Sequence, residues 1–188
     1  MTSYRRLRLP GATYFFTVNL SDRRSGALVD YIDDLRAAWT MTCRDRPFRT
    51  EAVVVLPDHL HAIWTLPPGD ADFSTRWRLI KTRFSLACGL AGRRSHSKRR
   101  KGERGLWQRR FWEHAIRGEA DFRTHLHFCW GNPVRHGLVA QAEDWPYSSL
   151  HRDLPLGRVP RKIDCLPDGL FGERMGEDHP SYGSLRAG

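Results

Sequence analysis

The sequence predicts an α+β fold, an antiparallel sheet with helices packed on one face. Two observations carry that expectation. Strand-length runs of aromatic and β-branched residues alternate with longer segments whose apolar residues recur at helical spacing. The 188 residues, 40% of them hydrophobic, suffice for one core but not for two full domains.

The elements follow in order. Thr13–Asn19 (TYFFTVN), after the turn-forming Pro10 and Gly11, reads as a strand. Leu28, Ile32, Leu35 and Trp39 mark an amphipathic helix over 27–44. Residues 52–56 (AVVVL), the turn signal Pro57-Asp58 and residues 59–66 (HLHAIWTL) read as a hairpin. A second helix spans about 73–90, with Phe73, Trp77, Ile80, Phe84 and Ala87 on its inner stripe and Arg76, Arg78, Lys81 and Arg83 outside it. Residues 93–104 (RRSHSKRRKGER) hold seven Lys or Arg and no apolar anchor, so a mobile loop is expected. Strand-like aromatics resume over 107–117, and a helix from Glu119 is expected to stop at Asn132-Pro133, where proline lacks the next N–H. A domain over 1–150 and an irregular tail over 151–188 complete the reading.

A formal charge of +10 points to a polyanionic partner, with nucleic acid first, because clustered Lys and Arg release counterions from phosphates. Cys43, Cys88, Cys129 and Cys165 lack paired spacing and no leader precedes them, so reduced thiols and a cytoplasmic location are expected. No apolar run approaches the roughly 20 residues of a membrane helix. Neither a membrane partner nor a small-molecule substrate is indicated.

Alternation along residues 58–66 places His59, His61, Ile63 and Thr65 on one face and Leu60, Ala62, Trp64 and Leu66 on the other. The apolar face packs on helices, leaving two imidazoles side by side on the face away from them. Such a pair can chelate a divalent metal, while an isolated His-x-His is more often an ordinary half-solvated strand.

Context decides between these. The run VVVLPDHLHAIWTLP, with YRRLRLPGATYFFTV, WQRRFWEHAIR, NPVRHGLV and DWPYSS in that order, resembles the REP-associated tyrosine transposases of the HUH single-strand nuclease superfamily, over about residues 4–150. The resemblance implies a ferredoxin/RRM-like antiparallel sheet with the histidines on one strand, and a partner in single-stranded DNA hairpins. It also implies a divalent metal, Mg or Mn, held by His59 and His61, and action as a monomer or homodimer. In that family a helical tyrosine attacks the scissile phosphate, giving a 5′-phosphotyrosine and a free 3′ hydroxyl, and a polar residue one turn later completes the metal shell.

The family tyrosine lies four residues before the Asn of Asn-Pro, and here that position is Phe128, in HLHFCWGNPVRHG. Phenylalanine lacks the hydroxyl that forms the phosphotyrosine. Three explanations follow: a copy that binds hairpins without cutting them; substitution by a metal-activated water or by Tyr4, Tyr14, Tyr31, Tyr147 or Tyr182; or a shifted register, which Asn132-Pro133 argues against. The DWPYSS context of Tyr147 suggests packing. Asn132 is either the third metal ligand or a helix C-cap. His125 and His127 are read as exposed or capping residues before ligands, and Glu113 and His114 as partners of the opposite strand.

Candidate DNA contacts are Tyr4, Arg5 and Arg6, the helix residues Arg76, Lys81 and Arg83, the run Arg93, Arg94, Lys98, Arg99, Arg100, Lys101 and Arg104, and Arg109 with Arg110. Trp39, Trp77 and Phe84 fall on core stripes. The rival reading is a non-enzymatic module binding nucleic acid on an RRM-like sheet, with TYFFTVN as platform, although the Lys/Arg-Gly-aromatic signature is missing. A structural zinc protein is not supported by the cysteine spacing.

Overall fold

The computed structural model describes residues 7–93, 96–100, 102, 104–159 and 163. In chain order these form β1 (Thr13–Asn19), α1 (Ala27–Asp30), α2 (Ile32–Asp45), β2 (Arg49–Val55), β3 (His59–Thr65), α3 (Phe73–Ala87), α4 (His96–Arg100), β4 (Trp112–Ala115), α5 (Glu119–Arg135) and α6 (Leu150–Asp153). The four strands make one antiparallel sheet of order β2-β3-β1-β4, so the histidine strand and the aromatic strand are its inner members.

Period-two alternation divides the sheet into two faces. Tyr14, Phe16 and Val18 of β1 and Leu60, Ala62 and Trp64 of β3 join Leu35 of α2 and Phe73, Trp77, Ile80 and Phe84 of α3 in the larger core. Trp64 and Trp77 stack at 4.2 Å and Trp39 meets both edge-on, so the helical-stripe aromatics serve packing. On the other face Phe15, Ala52, Val54, Leu56 and Ile63 pack against Phe128, Cys129 and Trp130 of α5. The expected single helical layer is therefore α2 with α3, and α5 covers the histidine face as a second layer. The cause is visible in the register: each histidine-facing residue alternates with core residues, but its own face also carries large apolar side chains that need cover.

Helix ends differ from expectation in three places. The first helix breaks at Tyr31 into α1 and α2. The basic stretch contains one helical turn, α4, favoured by the good helix-forming Lys and Arg residues, where only loop was expected. Most tellingly, α5 runs through Pro133 to Arg135 instead of stopping at Asn132. Proline removes one N–H near the helix end, and later donors restore the turn: His136 donates to Asn132 O at 3.0 Å and Leu138 to Pro133 O at 2.9 Å.

The DWPYSS segment closes the outer edge of β2. Val55 N–H donates to Tyr147 O, Ser149 N–H to Val53 O, Val53 N–H to Ser149 Oγ, and Trp145 Nε1 to Val55 O. Beyond it, Arg152 of α6 donates to the carbonyls of Thr50 and Glu51 at 3.0 and 2.6 Å, and Val159 and Ile163 pack on the α5 side. Unpaired strand edges invite foreign strands, and this segment covers one.

Candidate metal centre and nucleic-acid surface

The site begins with β3. Because Thr17 lies opposite His61 and Asn19 opposite His59 in the β1–β3 ladder, these side chains share one face. His61 Nδ1 lies 2.9 Å from Thr17 Oγ1, and His59 Nδ1 lies 2.7 Å from Asp58 Oδ1, whose other oxygen pairs with Arg23 Nε at 3.0 Å. Arg23 is held in turn by Asn19 Oδ1 at 2.7 Å. Such partners on one ring nitrogen fix the orientation of the ring and leave the other nitrogen for a ligand.

His59, His61 and Asp58 are fully buried, and the two imidazole centroids are 5.0 Å apart. Burial, reinforced by the nearby His59, His136, Arg135 and Arg23, pushes the His61 imidazole well below its ordinary range. It is therefore neutral at pH 7, with a lone pair to donate. His61 Nε2 is buried and has no hydrogen-bond partner.

α5 faces this pair. The Phe128 ring meets His61 edge-on at 5.0 Å and Phe15 at 5.7 Å, with the Arg135 guanidinium 5.2 Å from its centroid. Asn132 follows one turn later on the same helical face. It lies inside the helix, whose C-cap is His136, so capping is not its role. Its side chain is 1% exposed, and neither its amide nitrogen nor its amide oxygen has a hydrogen-bond partner. An orphaned buried amide costs about 1–3 kcal/mol, which a bound ligand would offset. Two buried imidazoles oriented through Nδ1, faced by the helix that carries the buried Asn132 amide, are a donor set that fits a divalent cation.

His136, which the sequence reading did not single out, has its ring centroid 5.0 Å from that of His59. The signal was present: it stands four residues after Asn132, and so one turn along the same face. Of the alternative tyrosines, Tyr14 and Tyr147 pack in the opposite layer, Tyr31 sits at the joint of α1 and α2, and Tyr4 and Tyr182 lie outside the described residues. Among the described tyrosines none shares the α5 layer.

The basic candidates divide. Lys81, Arg104 and Arg109 line one groove of about 550 Å³ between α3 and residues 102–111, floored by Trp77, Trp107 and Phe111. The Lys81 ammonium lies 5.7 Å from the Trp107 ring and 5.4 Å from Phe111. Arg93, Arg99, Arg100 and Arg110 are exposed. Arg83 bonds Thr42 at 2.8 Å and pairs with Asp45, tying α3 to α2. Arg76 is buried and donates to the carbonyls of Arg46, Pro47 and Asp72 and to Asp70, so its role is structural rather than a place on the basic face. Tyr4, Arg5, Arg6, Arg94, Lys101 and the side chain of Lys98 lie outside the described residues. Cys43, Cys88 and Cys129 are free thiols, and among the described residues no helix is long and apolar enough to cross a membrane.

The result is a four-stranded antiparallel sheet with a His-x-His pair on an inner strand, faced by a helix that carries the Asn-Pro segment. The chain is 50% identical over 178 residues to the REP-associated tyrosine transposase of Escherichia coli (strain K12), spanning 93% of this chain and 99% of that protein. It is 43% identical over 169 residues to a protein of Haemophilus influenzae, spanning 89% and 96%. Among solved structures it is similar to a REP-associated tyrosine transposase bound to a REP hairpin, with a TM-score of 0.81 and 48% identity over 93% of this chain and 98% of that one. No family model matches. The chain belongs to the family of REP-associated tyrosine transposases.

Proposed function

We propose that this protein binds single-stranded DNA hairpins in the cytoplasm and holds a divalent cation, Mg or Mn, at His59 and His61, while Phe128 leaves it without the family's nucleophile. The carrying observation is the pair of buried imidazoles, each oriented through Nδ1, facing a phenylalanine where a tyrosine is expected. A cation bound there supplies Lewis-acid polarisation of a phosphate oxygen. The chain's own residues do the rest: Thr17 and the Asp58–Arg23 pair hold the rings, and the Asn132 amide offers a further oxygen donor. Phe128 fills the tyrosine position with an aromatic ring but no hydroxyl, so position 128 cannot form the covalent phosphotyrosine. Binding thus outlives cleavage. Basic residues of the α3 groove and α4, with Arg109 and Arg110, hold phosphates, positioning the strand without reading its bases.

The test is a pair of titrations on the full-length protein. A labelled single-stranded palindromic hairpin should bind more tightly than an equally long strand that cannot pair, and Mn²⁺ binding should weaken sharply in His59→Ala with His61→Ala. Equal affinity for both strands would remove the hairpin reading. Undiminished Mn²⁺ binding would remove the metal assignment.

A further inference from the structure

A second group of potential ligands lies at the start of α5, separate from the histidine pair. His114 of β4, Asp121 of the first turn of α5 and His125 one turn later each offer a ligand atom, and these atoms all lie within 4.8 Å of one another. His114 Nε2 is 2.8 Å from Asp121 Oδ2, and His125 Nδ1 is 3.0 Å from Asp121 Oδ1 and 2.8 Å from the Asp121 carbonyl oxygen. The two imidazoles stack at 4.7 Å with 14° between their planes. The Phe15 ring stands between this cluster and the pair on β3, 4.8 Å from His125 and 5.5 Å from His61.

The geometry points to a second cation site, in which His114, Asp121 and His125 bind a borderline divalent transition metal such as zinc. Two imidazole nitrogens and one carboxylate oxygen are a donor set that suits zinc, whereas Mg and Ca favour all-oxygen shells. The side chains of His114 and Asp121 are 27% and 26% exposed, which leaves a route for the ion and room for a water as remaining ligand, while His125 is buried. Protonation states agree. Burial lowers the His125 pKa, which favours the neutral ligand form. At Asp121 burial opposes ionisation, but hydrogen bonds from His114 and the Arg117 N–H outweigh it and hold the carboxyl below its usual range. The three residues come from β4 and two successive turns of α5, so an ion here pins the start of that helix to the sheet. Position 128 lies three residues beyond His125. Without metal the same side chains form a hydrogen-bonded clasp, and metal binding is what separates the two descriptions.

The proposal does not depend on the nuclease reading, and the experiment keeps them apart. Zinc stoichiometry is measured by equilibrium dialysis, and Co²⁺ binding by visible absorption, on the full chain carrying His59→Ala and His61→Ala. That protein is expected to retain one equivalent, whose affinity falls at least tenfold when His114→Ala is added and likewise with His125→Gln. Circular dichroism checks the fold of each variant; if His114→Ala unfolds, His114→Gln, which keeps a donor toward Asp121, takes its place. Absence of the retained equivalent, or its indifference to changes at both His114 and His125, overturns the site.

Discussion

At the residue scale, the two histidines were legible in the sequence because strand alternation alone puts positions 59 and 61 on one face. Their partners were not. Thr17 reaches His61 only through the β1–β3 register, across a sequence separation of 44, and Arg23 reaches Asp58 from the loop after β1. No local pattern encodes such pairings. His136 was missed for a different reason, since it follows a proline that was expected to end the helix. These partners carry a prediction. Thr17→Val removes the hydroxyl while keeping the β-branched shape, and should weaken Mn²⁺ binding roughly 10–100-fold, as outer-shell changes at metal histidines do. Titration with Mn²⁺ followed by electron paramagnetic resonance would check it. An unchanged affinity would mean that the hydroxyl does not orient the ring.

At the element scale, hydrophobic periodicity located β1, β2, β3, α2, α3 and α5, whereas their ends depended on backbone details it does not report. α3 illustrates what fixes an end: Asp72 accepts from Thr75 N–H at 3.0 Å as the N-cap, and buried Arg76 in the first turn reaches back to Asp70 at 2.7 Å. Asp72→Ala should cost about 1 kcal/mol in denaturant unfolding. Asp70 adds a pH signature. The Arg76 hydrogen bond holds its carboxyl below the ordinary aspartate value of 3.8. A carboxylate depressed in the folded state binds fewer protons there than in the unfolded chain, so its contribution is complete above pH 3.8 and is lost as pH falls through the folded value. Asp70→Asn should therefore flatten the acid limb of a Tm-against-pH curve. An acid limb as steep as that of the unsubstituted protein would assign the acid sensitivity to other groups.

At the scale of the whole molecule, composition pointed to a polyanionic partner through the +10 charge, but not to how the basic and histidine-bearing parts divide across the sheet. The histidine pair and α5 lie on one side, and the groove with Lys81, Arg104 and Arg109 on the side of α3. Helices were expected on one face because only the strand register brings Phe15 and Val54 beside Ile63, leaving the histidine face apolar enough to need α5 as cover. If the basic surface tracks phosphates, Arg99→Ala with Arg100→Ala should reduce the slope of log K against log salt by roughly 1–2 for hairpin binding, since each lost contact removes about 0.7–0.9. An identical slope would take α4 out of the interface. If Phe128 disarms a scaffold that still holds hairpins, restoring the hydroxyl at position 128 restores cleavage. The most direct measurement incubates the protein and its Phe128→Tyr variant with Mn²⁺ and a labelled single-stranded palindromic hairpin, then resolves the products under denaturing conditions. Both proteins are expected to bind, and only the Tyr variant to cut and carry a covalent DNA adduct. Cleavage by the unsubstituted protein would contradict it, with an adduct indicating another tyrosine and its absence indicating water as the nucleophile.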